Sequence, residues 1–178
     1  MNKADLRKLM KENLKECFDT SKNSLISSNL QNLLNNIKFQ KKLNGLCVGG
    51  FSPIQHEPIW YENISHAYEL ALVHMHEDRR LSYHPCSWEK LVTGETSLQL
   101  NDQLLKEQIT PDIILIPGLA FTESRQRLGR GAGYFDSFLE HFKGVSIGIF
   151  YECQRVENVF EEKHDQKLDY IITETRVY

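Results

Sequence analysis

Asp112-Ile-Ile-Leu-Ile116, closed by Pro117-Gly118, is the stretch of sequence that decides the fold. A continuous apolar run of this kind is typical of a central parallel strand that is covered on both faces. The flanking patterns predict further strands at residues 45–51, 70–75, 80–83, 145–151 and 170–173. They predict helices at residues 1–18, from a cap at 27–28 to about residue 37, at 58–69 and at 133–142. Because strands alternate with helices, we expect an α/β fold, a three-layer α/β/α sandwich with a mainly parallel sheet.

Composition and charge narrow the classes of protein to which the chain can belong. Of its 178 residues, 40% are hydrophobic and 25% are charged, which is ordinary for a globular domain and excludes a disordered chain. Lys and Arg number 21 against 24 Asp and Glu, and this net charge of −3 disfavours a nucleic-acid partner. No apolar run approaches the roughly 20 residues of a membrane helix, so we expect no membrane partner either.

The cysteines and the N-terminus bear on the compartment. Cysteines stand at positions 17, 47, 86 and 153, without the Cys-x-x-Cys spacing of a metal or redox motif. The N-terminal residues 1–8 are charged and contain no apolar signal core. We therefore expect a cytoplasmic protein whose cysteines are reduced packing residues.

The segment from Pro117 to Asp136 follows the central strand, where ligands bind in open α/β sheets. Its Gly129-Arg-Gly-Ala-Gly133 run lets the backbone approach an anion and point several N–H groups at it. Arg125, Arg127 and Arg130 supply planar donors for phosphate, and the helix that follows adds the positive end of its dipole. The segment is not a Walker loop, because no Gly-Lys-Ser/Thr follows. It predicts a polyanion site, best suited to a nucleoside triphosphate; a solvated glycine-rich surface loop is the alternative.

These residues also carry a resemblance to a known family. Pro117-Gly-x-Ala-Phe121, followed by Arg127-Leu-Gly-Arg-Gly-x-Gly-Tyr-x-Asp136, resembles the signature of the 5-formyltetrahydrofolate cyclo-ligase family, also called methenyltetrahydrofolate synthetases. At the start of the chain, Lys3-Ala-Asp-Leu-Arg7 looks like the family's Lys-x-x-Leu-Arg. Near its end, His164-Asp-Gln-Lys-Leu-Asp169 and the Thr-Glu pair at 173–174 look like the closing pattern. The resemblance spans nearly the whole chain, and we expect one domain, residues 1–178.

The resemblance implies a fold and a reaction. The fold would be that of the CoA-transferase/ribose-isomerase-like group. The protein would be a ligase that forms a C–N bond, using ATP as co-substrate and Mg²⁺ as cofactor to convert 5-formyltetrahydrofolate to 5,10-methenyltetrahydrofolate. The formyl oxygen would attack the γ-phosphate, and N10 would then displace phosphate from the activated carbon. The partners would be these small molecules alone, and we expect a monomer.

The resemblance also implies which residues form the site. The catalytic residues would be Lys3 and Arg130, and the metal ligands would be Asp136 and Asp165. The ATP-binding residues would be Lys3, Ala4, Asp5, Leu6, Arg7, Arg127, Leu128, Gly129, Arg130, Gly131, Ala132, Gly133, Tyr134 and Phe135. The folate-binding residues would be Ser52, Glu57, Arg130, Gly131, Ala132, Gly133 and Tyr134.

Several positions depart from the family pattern. Thr122 stands where the family usually has Asp, Arg125 where it usually has Gly, and Ala132 where it usually has Gly or Lys. The loop at residues 93–100 does not reproduce the family's Gly-Ile-x-Glu-Pro element. These departures concern the shape of the loop and the folate wall, and they leave the phosphate and metal positions unchanged.

Two other hypotheses remain open. A paralogue that holds ATP or a reduced folate without turnover would account for the departures at Thr122 and Arg125. A metal-binding accessory protein would use His74-x-His76 with His84 nearby, since residues 74 and 76 of a strand share a face.

Overall fold

The computed structural model describes residues 1–95 and 107–178, and six of the strands in these ranges form a central sheet. The strands of that sheet are β1 (Cys47–Gly50), β2 (Glu69–Met75), β3 (Leu81–Pro85), β4 (Ile113–Ile116), β7 (Val145–Ile149) and β8 (Tyr170–Ile172). Two further strands, β5 (Ala120–Phe121) and β6 (Arg127–Leu128), form a separate hairpin. The strands predicted from the sequence are confirmed, with shifted ends.

The central sheet is mainly parallel, as predicted. Its strand order is β3-β2-β1-β4-β7-β8, and every neighbouring pair is parallel except β2 with the edge strand β3. Strand β4 lies inside the sheet between β1 and β7, and its four residues are buried. The continuous apolar run of β4 is explained by this position, since both of its faces meet protein.

Helices cover both faces of the sheet, which confirms the layered α/β architecture. The helices are α1 (Lys3–Cys17), α2 (Asn23–Lys41), α3 (Trp88–Thr93) and α4 (Tyr134–Leu139). Ile113 and Leu115 pack in one buried cluster with the apolar sides of α1, α2 and α3. Ile114 and Ile116 pack in a second cluster with Phe135 of α4. The alternate side chains of one strand therefore join two cores, one on each side of the sheet.

The helix predicted at residues 58–69 is wrong, and α2 explains why. The backbone amides of residues 59, 63 and 65 donate to side chains of α2 instead of to their own chain: Ile59 to Asn23, Asn63 to Ser27 and Ser65 to Gln31. These acceptors are spaced four residues apart, so they lie on one face of α2. The predicted helix cap at residues 27–28 is also wrong. The helix begins at Asn23, and Ser27 is a buried residue in the interior of its sequence.

A disulfide corrects the expectation that all cysteines are reduced. Cys17, at the end of α1, is bonded to Cys153, which follows β7 in the chain. Cys47 and Cys86 are free and half-buried. The expected cytoplasmic location rested partly on reduced cysteines and stays a prediction.

None of the helices in the described ranges, 1–95 and 107–178, combines the length and apolar character that crossing a bilayer requires.

Arg125 and Thr122, two departures from the family pattern, shape the turn between β5 and β6. Arg125 has a φ of 69°, in the left-handed region where glycine is favoured. Its guanidinium donates to the carbonyl of Asp169 at 2.7 Å, and the Leu168 amide donates to the Arg125 carbonyl. The Thr122 hydroxyl accepts from the amide of Gln126 and closes the same turn. The family's glycine at position 125 is therefore explained by the backbone, and this chain replaces it with an arginine that holds the C-terminal segment.

Thiol counting tests the disulfide. Under denaturing, non-reducing conditions we expect alkylation of only Cys47 and Cys86, and of all four cysteines after reduction. The bond closes a loop across a sequence separation of 136 residues, for which chain entropy gives a stabilisation of about 4–5 kcal/mol. A double Cys17→Ser/Cys153→Ser variant should therefore melt well below the wild type. Four alkylated cysteines in the unreduced protein would contradict the pairing.

A pair of substitutions at Arg125 tests the backbone strain. Both Arg125→Gly and Arg125→Ala lose the hydrogen bond to Asp169, but only alanine keeps the unfavourable φ. We expect the glycine variant to be more stable than the alanine variant by about 1 kcal/mol, or roughly 2–4 °C in melting temperature. If the alanine variant melted at the same temperature or higher, the left-handed conformation would be wrong.

Candidate active site

A cleft of about 940 Å³ opens at the carboxyl ends of β1, β2 and β4. It brings together nearly all of the residues predicted for the site: Lys3, Ala4, Arg7, Ser52, Glu57, Arg127, Leu128, Gly129, Arg130, Gly131, Ala132, Gly133, Tyr134, Phe135, Asp136 and Asp165. Asp5 and Leu6 do not line it. The cleft also contains residues that the sequence prediction missed: Asn2, Phe51, Ile54, Val73, Met75, Pro117, Glu162 and His164.

Helix α1 enters the cleft with one face of its first turns. Lys3 and Arg7 are four residues apart, so their side chains lie on the same face. The Nε atom of Arg7 donates to the carbonyl of Gly129 at 3.1 Å. Asp5 instead accepts from the Asn2 amide in a capping box, and Leu6 is buried in the core. These two residues set the position of the helix, and the lysine and arginine contribute the charge.

The glycine loop, residues 129–133, presents backbone donors. No amide of residues 129–133 donates a hydrogen bond to another residue in the described part of the chain. Gly131 and Gly133 have φ angles of 110° and 75°, which strongly favour glycine. A Cβ on Gly131 would also meet the Arg7 guanidinium at 3.4 Å. Successive unpaired N–H groups on such a loop form a concave site for an anion.

Arg127 lies beneath the loop and holds Asp136. Its side chain is 3% exposed, and one terminal nitrogen donates to Oδ1 of Asp136 at 3.0 Å. The other donates to the carbonyl of Pro117, and the guanidinium lies over the ring of Phe135. The Nε atom of Arg127 is buried without a partner among the described residues. Most of the arginine's donors are thus committed to protein groups, and Asp136 is fixed at the cleft wall.

Lys3 joins the N-terminal helix to the C-terminal segment. Its ammonium donates to Asp165 and, at 3.0 Å, to Glu162. Burial alone would lower the pKa of Lys3, but the hydrogen bonds to Asp165 and Glu162 outweigh it and raise this pKa above its usual value. Burial opposes ionisation of Asp165, yet the bonds from Lys3 and from the Glu162 amide lower its pKa. The pair is therefore charged around neutral pH.

Glu57 and Arg130 form an ion pair across the cleft. Two nitrogens of Arg130 donate to Oε1 of Glu57, at 2.8 and 3.2 Å, while Oε2 of Glu57 accepts from the amide of Ile54. The Glu57 side chain is 5% exposed, whereas the Arg130 side chain is 39% exposed. Glu57 is thus a buried acceptor in the wall, and Arg130 is the partly exposed partner of the pair.

The acidic groups of the cleft fit a hard cation. Arg127 binds Asp136 through Oδ1, and Lys3 binds Asp165 through Oδ2, so each carboxylate keeps a second oxygen for a metal. Ligand atoms of Glu162, His164 and Asp165 lie within 4.8 Å of one another, and Asp136 is not part of this group. Carboxylate oxygens suit Mg²⁺, which needs only one or two protein carboxylates beside phosphates.

Two of the histidines expected for the alternative metal site, His76 and His84, form hydrogen bonds. Among the described residues, the acidic group just named is the one whose ligand atoms converge, and it contains neither His74 nor His76. His76 and His84 bond to the hydroxyl of Ser82. The hypothesis of a transition-metal site at these histidines has no support in this geometry.

The departures at Thr122 and Arg125 lie outside the cleft lining, and Ala132 lies within it. Of the loop at 93–100, residues 96–100 lie outside the described residues. Glu162 and His164 closely precede Asp165, so the closing pattern of the sequence indicated this segment of the chain. The apolar wall of Ile54, Val73 and Met75 had no comparable signal.

Comparison with known proteins identifies the family of the chain. The model of the 5-formyltetrahydrofolate cyclo-ligase family matches residues 62–174, more than half of the chain. The 5-formyltetrahydrofolate cyclo-ligase of Escherichia coli is 34% identical over 104 residues, which cover 55% of this chain and 56% of that protein. The Saccharomyces cerevisiae enzyme of that name is 27% identical over 131 residues, covering 65% and 62%. The chain thus spans about half the length of these curated relatives.

Solved structures show the same fold over the whole chain. The 5,10-methenyltetrahydrofolate synthetase of Aquifex aeolicus superposes with a TM-score of 0.72 at 24% identity, covering 99% of this chain and 92% of that one. The synthetase of Mycoplasma pneumoniae gives 0.71 at 20% identity, covering 98% and 99%. The residues matched by the family model include the glycine loop and both predicted metal ligands, and the chain belongs to the 5-formyltetrahydrofolate cyclo-ligase family.

Proposed function

We propose that this protein converts 5-formyltetrahydrofolate to 5,10-methenyltetrahydrofolate with ATP and Mg²⁺, releasing ADP and phosphate. The observation that carries the proposal is the glycine loop, which has unpaired amides among the described residues and lines a cleft that also holds Lys3 and Arg7. Backbone donors and cations on one side, with carboxylates on the other, are the groups that a metal-bound triphosphate requires. The family membership supplies the identity of the second substrate.

The phosphate side of the cleft supplies positive charge at fixed positions. The loop amides would bind the triphosphate, with Lys3 and Arg7 beside them on α1. Phosphoryl transfer needs alignment and charge compensation more than covalent help, and these groups provide both. Arg127 contributes by holding Asp136, because most of its donors are already used by protein groups.

The folate side is formed by Glu57, Ser52 and Tyr134, next to the apolar wall. The buried Glu57 carboxylate is an acceptor for the donor edge of a pterin. Arg130 would leave Glu57 and meet the formyl oxygen as the γ-phosphate is transferred to it. Phosphorylation converts that oxygen into a good leaving group, and N10 then closes the ring.

Asp136 and Asp165 would hold Mg²⁺ together with the triphosphate. The metal, when bound, would neutralise charge on the phosphate oxygens during transfer. The carboxylates are prepared for this role because ion pairs with Arg127 and Lys3 hold them in place. We further propose a single domain over residues 1–178, a monomer and a cytoplasmic location, with small molecules as the only substrates.

A turnover assay tests the proposal against the non-catalytic alternative. Methenyltetrahydrofolate is measured by its absorbance, with ATP and Mg²⁺ varied separately. We expect Asp136→Asn and Asp165→Asn to lower turnover by roughly 100-fold, or about 2.7 kcal/mol at 1.36 kcal/mol per tenfold, and to raise the Mg²⁺ requirement. Asp136→Asn should also lower the melting temperature, since it leaves the buried Arg127 without an ionic partner.

Asp19→Asn is the matched control, because Asp19 is an exposed capping residue that asparagine can replace. It should keep the wild-type Mg²⁺ curve. Binding of ATP and folate without turnover would favour the paralogue, and Mg²⁺ curves of the two site variants that match the control would refute the metal assignment.

The Glu57–Arg130 pair makes a separate prediction. Glu57→Gln removes the charge that holds Arg130 in the free protein, so Arg130 becomes available to phosphate. We expect a non-hydrolysable ATP analogue to bind the variant roughly threefold to tenfold more tightly, about 0.7–1.4 kcal/mol, and the folate to bind more weakly. Calorimetry measures both affinities, with the exposed Glu62→Gln as control. Weaker binding of the analogue by the variant would contradict this role for the pair.

A further inference from the structure

A polar cluster lies behind the cleft wall formed by β2. Val73 and Met75 point one way and line the cleft, while His74 and His76 lie on the other face of the strand. In the antiparallel pair of β2 with β3, His74 lies opposite Ser82. Ser82 and His84 therefore share the face of His74 and His76. The side chains of this histidine cluster lie on the reverse side of the wall, outside the cleft lining.

Hydrogen bonds connect three members of the cluster in a row. The Nε2 atom of His76 lies 2.7 Å from the Ser82 hydroxyl, and that hydroxyl lies 2.7 Å from Nε2 of His84. Nδ1 of His84 lies 3.0 Å from the carbonyl oxygen of Glu107. Ser82 and His84 are 7% and 1% exposed. Burying polar groups this deeply costs free energy unless they are hydrogen-bonded, and the row supplies those hydrogen bonds.

The carbonyl at the end of the row fixes the direction of every proton. A carbonyl only accepts, so Nδ1 of His84 carries hydrogen and Nε2 of neutral His84 accepts from the Ser82 hydroxyl. The Ser82 oxygen then accepts from Nε2–H of His76. Burial, with His76 and His84 as neighbours, lowers the pKa of His74 and keeps that ring neutral beside the row. The two bonded histidines therefore have opposite tautomers.

His76, at one end of the row, also contacts the residue that follows the glycine loop. The hydroxyl of Tyr134 donates to the main-chain carbonyl of His76 at 3.0 Å. Tyr134 follows the loop directly and lines the cleft. The same carbonyl accepts from the amide of Arg79, in the turn between β2 and β3. The row is thus connected through His76 to Tyr134 and to the end of the loop.

We propose that Ser82, through His76 and His84, is a positioning residue that holds Tyr134 and the glycine loop in the geometry that binds substrate. This inference rests on the proposed function, because it takes the loop to be the nucleotide site. A loop ordered before binding loses less entropy when the ligand arrives, so the network should act on substrate affinity. Removing it should raise KM and leave kcat near the wild-type value.

A double-mutant cycle tests whether Ser82 acts through Tyr134. Ser82→Ala and Tyr134→Phe should each raise the KM for ATP by about tenfold, which at about 1.4 kcal/mol lies in the range for coupled neighbours. Both substitutions break the same connection, so the KM for ATP of the double variant should be little higher than that of Tyr134→Phe alone. A KM increase in the double variant equal to the product of the two single increases, or an unchanged KM in Ser82→Ala, would overturn the proposal.

Two further variants separate positioning from a loss of stability. Ser146→Ala is the stability control. It removes a buried serine hydroxyl of β7 that donates to Asp169, and it should lower the melting temperature without changing KM. Ser82→Thr keeps a hydroxyl at this position and should therefore keep the wild-type KM. All assays are run below the lowest melting temperature of the set.

Histidine tautomers give a readout that does not depend on activity. Long-range proton–nitrogen spectra of the wild-type protein should show hydrogen on Nε2 of His76 and on Nδ1 of His84. The same tautomer at both residues would refute the row of hydrogen bonds. Absence of turnover in the wild type would instead refute the proposed function, whereas turnover with an additive cycle would refute only the positioning role.

Discussion

The ion pair of Lys3 with Asp165 is the interaction on which the cleft depends. It joins two residues 162 positions apart, one at the start of α1 and the other just before β8. Neither segment could form a site alone, since a lone lysine on a helix end and an acid in a loop would both face water. Leu6, Met10 and Leu14 bury the other face of α1 in the core, and so the helix presents its lysine at a fixed depth.

The wall of the cleft is built as pairs of opposite charges. Arg127 holds Asp136, Lys3 holds Asp165, and Arg130 holds Glu57. Removing a carboxylate from water is costly unless a cation or hydrogen-bond donors compensate its charge, and this constraint places the acids and the bases of the site side by side. Arg130 is the most exposed of these cations and Arg127 the least. Their exposure separates a cation that is accessible to a ligand from one that is enclosed by protein.

Much of this arrangement followed from the sequence, because local rules decide it. The apolar run of β4 required a central position, and the spacing of Lys3 and Arg7 required a shared helix face. The helix expected at 58–69 failed because its amides are bound by Asn23, Ser27 and Gln31, and no local pattern reveals a partner about 35 residues away. The disulfide was missed for the same reason, since it pairs cysteines 136 positions apart.

The site residues show the same difference between features that local sequence decides and features that depend on distant partners. The glycine loop and its arginines are contiguous, so the sequence indicated them together with their chemistry. Which arginine is buried was not visible, because the exposure of Arg127 depends on Phe135 and Asp136 folding around it. The hydrophobic wall of the cleft and the histidine row behind it depend on the pairing of β2 with β3, which only the folded chain defines.

Under the proposed function, the N-terminal helix supplies a charge that the reaction needs. Turnover of Lys3→Met, compared with that of Lys8→Met on an exposed position of the same helix, tests this role. We expect a loss of roughly 100-fold for Lys3→Met, about 2.7 kcal/mol of transition-state stabilisation, and wild-type turnover for Lys8→Met. Both proteins should melt within a few degrees of the wild type. Equal turnover of the two variants would show that the reaction does not need the charge of Lys3.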